Sequence, residues 1–186
     1  MIAFVKLLTI FVLSLNIIAC ANYSQKHEPT FEDAAQNPFI PTNRAAAASL
    51  MAQAKTSLFS NQPLIVATLV DINVLEKSST LGRMISEQIS AVFSQAGYQM
   101  IEMKFRETVY MKRNEGELLL TREITEIAKQ HNAQAVIVGT YGIAGDLVYI
   151  NLKVVQPGTN YILAAHDYAL PMDHNIRMML TPRSVN

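Results

Sequence analysis

The apolar run at residues 64–70 constrains the fold of this chain more than any other sequence feature. Its length and its β-branched residues predict a strand that is buried on both faces. The next segment, residues 78–97, has apolar residues at helical spacing, and Ser79 or Thr80 can cap its start while Gly97 suits its end. A doubly buried strand followed by an amphipathic helix is typical of an α/β domain, in which helices cover a sheet.

The segments that flank this pair extend the α/β pattern. Asn43 could cap a first helix over residues 44–59, and residues 98–105 fit a second strand. Residues 106–120 predict a long connection with short extended pieces. Thr121 could cap another short helix that ends near residue 132.

Three more strands are predicted after this helix, at residues 133–141, 146–156 and 161–170, and turn residues separate them at hairpin spacing. The element order is therefore α-β-α-β-α-β-β-β, with parallel pairing first and antiparallel hairpins last. We predict a single α/β domain over residues 43–171, a mixed sheet of about five strands with two or three helices packed on it. Residues 172–186 are expected to form an irregular tail.

The N-terminal segment resembles a bacterial lipoprotein signal. Lys6 supplies a positive charge before a short apolar core, and residues 1–19 read as a signal peptide. The core ends at Ile17-Ile18-Ala19-Cys20, which resembles the lipobox at which such proteins are cleaved and acylated on the cysteine. Each buried methylene contributes about 0.8 kcal/mol, so two or three acyl chains anchor a protein firmly. We expect cleavage before Cys20 and lipid on that residue.

Two other interpretations of this segment stay open: an uncleaved membrane helix, and an ordinary signal beside which Cys20 is incidental. A spanning helix needs about 20 mostly apolar residues, and this stretch is shorter and carries Asn16. Residues 21–42 are polar and contain three prolines, so residues 20–42 predict a lipidated cysteine and a flexible tether. No Asp directly follows Cys20. By the usual sorting rule for such lipoproteins, this absence favours the outer membrane, with the domain facing the periplasm.

Charge and motifs make other function classes poor fits. Fifteen basic and fifteen acidic side chains cancel, so no net field attracts nucleic acid, and we expect no such partner. The sequence has no glycine-rich phosphate loop, no Gly-x-Ser-x-Gly motif and no His-Glu-x-x-His motif. We therefore predict that the protein is not an enzyme and has no cofactor. Glu115, Glu117 and Glu123 are interpreted as solvated charges rather than as acid/base groups.

A metal site is the remaining chemical possibility, and we predict none. Four potential ligands lie close in sequence: His166, Asp167, Asp173 and His174. The first two face opposite sides of a predicted strand, and the other two lie beyond it, so they are not expected to converge.

Short segments between residues 43 and 171 also follow an order that is shared with a known family. They are Ser79–Arg83 and Gly97-Tyr98 at the two ends of the long helix, Gly116–Glu123 before the next helix, Val138–Tyr141 and Val148–Asn151 in the strands, and Asp167–Pro171 at the end. In this order they resemble the domain of FlgO-type outer-membrane lipoproteins of flagellated Gram-negative bacteria. The layout is also similar to the N-terminal domain of TolB and related envelope lipoproteins.

The resemblance implies a non-catalytic role in assembly or stability of the flagellum, and thus in motility. Nothing in these residues specifies a flagellum, so regulation of another envelope machine, such as cell-wall synthesis or surface-polymer export, stays open. The implied partners are flagellar or other envelope proteins, and a homo-oligomer or ring is compatible with it. Tyr141 and Tyr149 read either as fold determinants or as an exposed patch for such a partner.

Overall fold

The computed structural model describes residues 28–103, 110–112, 118–120 and 122–181. Of the described residues, 28–37 belong to one unit, and a second unit begins at Pro38. In the first unit, helix α1 (Phe31–Gln36) starts with a capping box. The Thr30 hydroxyl accepts from the amide of Asp33 at 3.2 Å, and the Asp33 carboxylate accepts from the amide of Thr30 at 2.8 Å. Residues 31–36 of the predicted tether are therefore helical, and the capping box stabilises this helix although the sequence has no apolar period there.

Helix α2 (Phe39–Ala54) begins earlier than the sequence predicts. Pro38 precedes it without a side-chain capping bond, and proline is tolerated at such a start because the first-turn N–H groups have no helical partner. Asn43, predicted as the cap, instead lies inside the helix and is fully buried. Residues 39–42 are thus helix rather than tether.

The sheet is mixed, as predicted. Its strands are β1 (Leu64–Ala67), β2 (Val70–Asp71), β3 (Met100–Met103), β6 (Ala135–Ala144), β7 (Leu147–Val155) and β8 (Ile162–Pro171). The main strands lie in the order β3-β1-β6-β7-β8, and the short β2 also pairs with β6. Strand β1 pairs in parallel with β3 and β6, while β6, β7 and β8 form antiparallel hairpins. A separate antiparallel pair, β4 (Tyr110–Lys112) and β5 (Leu118–Leu120), supplies the short extended pieces expected before the next helix.

Three further helices complete the described part of the chain: α3 (Thr80–Gln95), α4 (Arg122–Gln130) and α5 (His174–Leu180). Helices α2, α3 and α5 share a buried cluster with one face of the sheet, whereas α4 packs on the opposite face. The apolar stripe predicted for α3 is confirmed at Leu81, Ile85, Ile89 and Phe93, which are all fully buried. Helices on both faces explain why every residue of β1 is buried.

The predicted irregular tail contains helix α5, so that prediction is wrong for residues 174–180. The carboxylate of Asp173 accepts from the amide of Ile176 at 2.7 Å and caps the helix. Ile176 is buried in the same cluster as α2 and α3. Capping and burial together stabilise a helix that is too short to show a clear apolar period.

Candidate functional site

A cavity of about 560 Å³ opens where strands β2 and β6 end, and we call it the carboxyl-end cavity. Most of its polar residues come from the end of β2, the turn that follows it and the start of α3, and its apolar residues come from β6 and α5. The lining residues are Asp71, Lys77, Ser78, Ser79, Thr80, Arg83, Tyr141, Ile143, Leu180 and Thr181. Residues far apart in the sequence therefore converge at one edge of the sheet.

A tight turn after β2 brings Lys77 back to this edge. The carboxylate of Asp71 accepts from the amide of Asn73 at 2.8 Å, and the amide of Asp71 donates to the carbonyl of Lys77 at 2.9 Å. The hydroxyl of Ser78 donates to the carbonyl of Leu69 at 2.9 Å. These bonds place the turn and the start of α3 beside the end of β6.

The start of α3 lies unusually close to the chain at Leu69. A Cβ atom on Gly82 would lie 2.3 Å from the carbonyl oxygen of Leu69, so only glycine fits there. The hydroxyl of Ser79 accepts from the amide of Gly82 at 3.1 Å and caps the helix. Further along α3, the buried hydroxyl of Ser86 accepts from the amide of Leu69 at 3.1 Å.

Gly139 makes the matching close approach on the other side of Leu69. A Cβ atom there would lie 2.7 Å from the side chain of Leu69 and 2.9 Å from the carbonyl oxygen of Asn151. The two glycines thus allow helix α3 and strands β6 and β7 to approach the chain closely at Leu69. These positions belong to the segments that carry the family resemblance.

Tyr141 lies at the inner wall of the cavity and is only 3% exposed. Burial raises the pKa of its phenol, and the nearby charge of Asp71 raises it further. A hydrogen bond with the Ser79 side chain and the charge of Arg83 act in the opposite direction on the pKa. The phenol is therefore neutral and can donate a hydrogen bond at physiological pH.

Tyr149 occupies the other face of the sheet. In the register, Tyr141 pairs with Ile150, while Tyr149 pairs with Gly142 and with Ala169. Since successive residues of a strand alternate between faces, the two tyrosines point to opposite sides of the sheet. Of the two interpretations of these residues, a shared exposed patch does not hold, because Tyr141 is buried and only Tyr149 is exposed.

The sheet face around Tyr149 is open. Helix α4 covers the part of this face near β1, where Ile124 and Ala128 pack with Val136 and Val138. Beyond it, Tyr149 is 47% exposed and Leu147 is 39% exposed. We call this surface the open sheet face; its residues are Ile72, Gly142, Ala144, Leu147, Tyr149, Ala169 and Pro171.

The other predicted groups do not converge. In the described part of the chain, no three His, Cys, Asp or Glu side chains are placed to hold a metal ion. Asp173 caps α5, and the ring of His166 lies 6.0 Å from that of Tyr168. Glu115, Glu117 and the predicted helix cap Thr121 lie outside the described residues, as does the side chain of Glu123.

A second cavity, of about 830 Å³, lies at the opposite edge of the sheet, where strands β1 and β6 begin. Its most buried polar group, the amide of Gln134, is already bonded. It donates to the carbonyls of Phe59 and Gln62 at 2.6 Å and accepts from the amide of Phe59 at 2.7 Å. Gln134 therefore holds the 59–62 turn in place, and we assign this cavity no ligand-binding role.

Cys20 and the predicted signal peptide lie outside the described residues. Within residues 28–103, 110–112, 118–120 and 122–181, no helix has the length and apolar character needed to cross a membrane.

Comparison with known proteins identifies a family and a fold. The family described as FlgO protein matches residues 44–175. The C-terminal domain of LpoB from Salmonella enterica superposes with a TM-score of 0.53 at 9% identity, over 73% of this chain and 99% of that one. This likeness shows the fold alone. The mixed sheet with helices packed on it is thus a fold that solved proteins share, and the predicted fold class is confirmed.

Two weaker structural matches are the LpoB C-terminal domain from Escherichia coli and lipoprotein GNA1162 from Neisseria meningitidis. The first has a TM-score of 0.42 at 11% identity, over 67% of this chain and 96% of that one. The second has a TM-score of 0.39 at 14% identity, over 61% and 82%. No curated protein sequence matches this chain.

Proposed function

Since the chain belongs to the FlgO family, we propose that it is a non-catalytic outer-membrane lipoprotein that supports assembly or stability of the flagellum. Lipid on Cys20 holds the protein at the membrane, and the α/β domain faces the periplasm. The domain acts through contacts with flagellar proteins, and it contributes to motility in that way. No catalytic residue is assigned.

The open sheet face is the structural feature that best supports a docking role. An apolar patch on a sheet normally packs against another element, and among the described residues helix α4 covers only the half of this face near β1. On the other half, Tyr149 stands between small residues, because Gly142 and Ala169 are its register partners on the two neighbouring strands. A large, half-exposed aromatic ring flanked by small residues is a typical anchor of a protein interface.

Loss of Tyr149 should therefore weaken docking. Truncation of a central aromatic anchor costs about 2 kcal/mol, which is about thirtyfold in affinity. We expect Tyr149→Ala to reduce swimming in soft agar and the number of intact flagella, while the protein level stays unchanged. The matched control is Tyr161→Ala, since Tyr161 is 69% exposed and lies at the far end of the β7–β8 hairpin.

Deletion of the gene tests the flagellar role itself. We expect deletion to impair swimming, and normal swimming with intact flagella would contradict the proposal. Affinity capture of the protein should recover flagellar components through wild type and not through Tyr149→Ala. Recovery of a cell-wall synthase or a polymer exporter in their place would support the other envelope role.

The anchor has its own test. Replacement of Cys20 by Ser should release a folded protein from the outer membrane, because no thiol remains to carry lipid. Fractionation and circular dichroism would check this. Outer-membrane retention of Cys20→Ser would contradict lipid anchoring without affecting the docking role.

A further inference from the structure

The carboxyl-end cavity presents two cations without a carboxylate partner. Lys77 and Arg83 both line it, and neither forms an ion pair with another described residue. Among the described lining residues, Asp71 is the only acidic one, so these residues carry two formal positive charges and one negative charge. We propose that this cavity binds a ligand bearing a single carboxylate, which Arg83 and Lys77 receive while Ile143 and Leu180 contact its apolar part.

The position of the cavity in the topology supports a ligand site. The connection from β1 to β3 passes through α3 on one face, and the connection from β3 to β6 passes through α4 on the other. Strand order therefore switches direction between β1 and β6, and a crevice forms outside their carboxyl ends. In open α/β sheets, ligands bind in this crevice. The cavity lies at this point, with Asp71 on one side and Tyr141 on the other.

The hydrogen-bonding groups of the wall favour an anion. One guanidinium nitrogen of Arg83 donates to the hydroxyl of Thr80 at 3.1 Å, and its other N–H groups have no described partner. The hydroxyl proton of Thr80 is free to donate, since its oxygen serves as the acceptor in that bond. The start of α3 adds a partial positive charge. Arginine matches a carboxylate with two parallel N–H bonds, which sets the orientation of the group.

Charge balance favours a carboxylate over a phosphate. The carboxylate of Asp71 would repel a doubly charged phosphate, whereas one negative charge offsets the excess positive charge of the described lining residues. The volume of about 560 Å³ is that of a small-molecule pocket. Its apolar residues, Ile143 and Leu180, lie on β6 and α5, across from the cations on α3 and the turn before it. The cavity therefore suits an aliphatic side chain next to a carboxylate.

Such a carboxylate could come from a free small molecule or from the carboxyl terminus of a peptide. The probes are N-acetyl-leucine and a tetrapeptide ending in leucine, each compared with its carboxamide, together with inorganic phosphate. Binding to the purified full chain is followed by calorimetry and by the shift in melting temperature. We expect the two free acids to bind with Kd values of about 1 mM or below and the carboxamides not to bind.

Variants then assign the site. Arg83→Gln should weaken binding of the free acid about tenfold or more, and Lys77→Gln should weaken it several-fold, because both side chains lie at the surface and their loss leaves the fold intact. The matched control is Arg44→Gln, since Arg44 lies on α2 and its guanidinium donates to Gln95 at 2.6 Å, outside the cavity. Binding to Arg44→Gln should equal that of wild type.

The outcomes separate clearly. Tighter binding of N-acetyl-leucine assigns a free small carboxylate, and tighter binding of the tetrapeptide assigns a peptide terminus; both support the site. Equal binding of acids and carboxamides, binding of phosphate alone, or acid binding unchanged in Arg83→Gln and Lys77→Gln would overturn it. The cavity and Tyr149 occupy different surfaces, so Tyr149→Ala should bind the acid like wild type. Failure of the docking proposal is thus distinguishable from failure of this site.

Discussion

Replacement of Gly82 by Ala tests whether the close approach of α3 to Leu69 holds the fold together. Gly82 lies in the first turn of a 16-residue helix, and helix propensity alone predicts that Ala would stabilise it by about 1 kcal/mol. The structure predicts the opposite sign. The new Cβ would lie 2.3 Å from the carbonyl oxygen of Leu69, 3.1 Å from its carbonyl carbon and 3.1 Å from the hydroxyl oxygen of Ser78.

The size of the loss follows from what has to move. The nearest atom belongs to the backbone, which cannot rotate away as a side chain can, so α3 must shift relative to the sheet. Such overpacking costs about 1–3 kcal/mol, and this contact belongs at the upper end of that range. After subtraction of about 1 kcal/mol of propensity, the net loss is about 2 kcal/mol. In a domain of this size it lowers the melting temperature by roughly 5 °C.

Urea unfolding followed by circular dichroism measures the free energy of unfolding directly. Ser94→Ala, at an exposed position of the same helix, should change it by less than about 0.5 kcal/mol. Gly97→Ala separates sterics from backbone strain, because Gly97 has φ +91° and nothing lies within 4 Å of its added Cβ. That variant should lose about 1–2 kcal/mol. A Gly82→Ala protein as stable as wild type would refute the reasoning.

Three further substitutions test other parts of the fold by the same unfolding measurement. Asn43→Ala should cost about 1–3 kcal/mol, because it leaves the partly buried hydroxyl of Tyr168 and the amide oxygen of Gln88 without their partner. Adding Tyr168→Phe to this variant should cost little more. Asp173→Ala should cost about 1 kcal/mol through loss of the cap of α5. Burial raises the pKa of Tyr168 well above 10.0, so stability should be full below about pH 10 and fall above it, where the unfolded phenol ionises first. Tyr168→Phe should remove this part of the fall.

The order of the elements along the chain and the parallel or antiparallel sense of strand pairing could be predicted because each signal is local. The apolar run at residues 64–70, the helical spacing of Leu81 to Phe93 and the alternation at Val148 to Val154 each lie within one element. Parallel pairing of β1 with β3 and β6 then follows from crossover geometry, and antiparallel pairing of β7 and β8 follows from the short turns.

The errors involve partners that are distant in sequence. Asn43 looks like a cap because its side chain is polar, yet it is satisfied inside α2 by Gln88 and by Tyr168, which is 125 residues away. Helix α5 depends on burial of Ile176 against elements at the other end of the chain. Tyr141 and Tyr149 point to opposite sides of the sheet because the strand register fixes the side that each residue faces.

The carboxyl-end cavity also escaped sequence analysis, although a general rule could have located it. The order of the first three strands, once read as crossovers to opposite faces, already predicts a crevice beside the end of the strand at residues 64–71. The sequence pattern does not reveal the turn that brings Lys77 to this edge, because that turn depends on hydrogen bonds between Asp71 and residues 73 and 77. The same turn delivers Ser78 to the carbonyl of Leu69, beside Gly82. The contacts that hold α3 against the sheet are therefore also those that form the cavity wall, so a Gly82→Ala protein that folds with a shifted α3 should also show altered carboxylate binding.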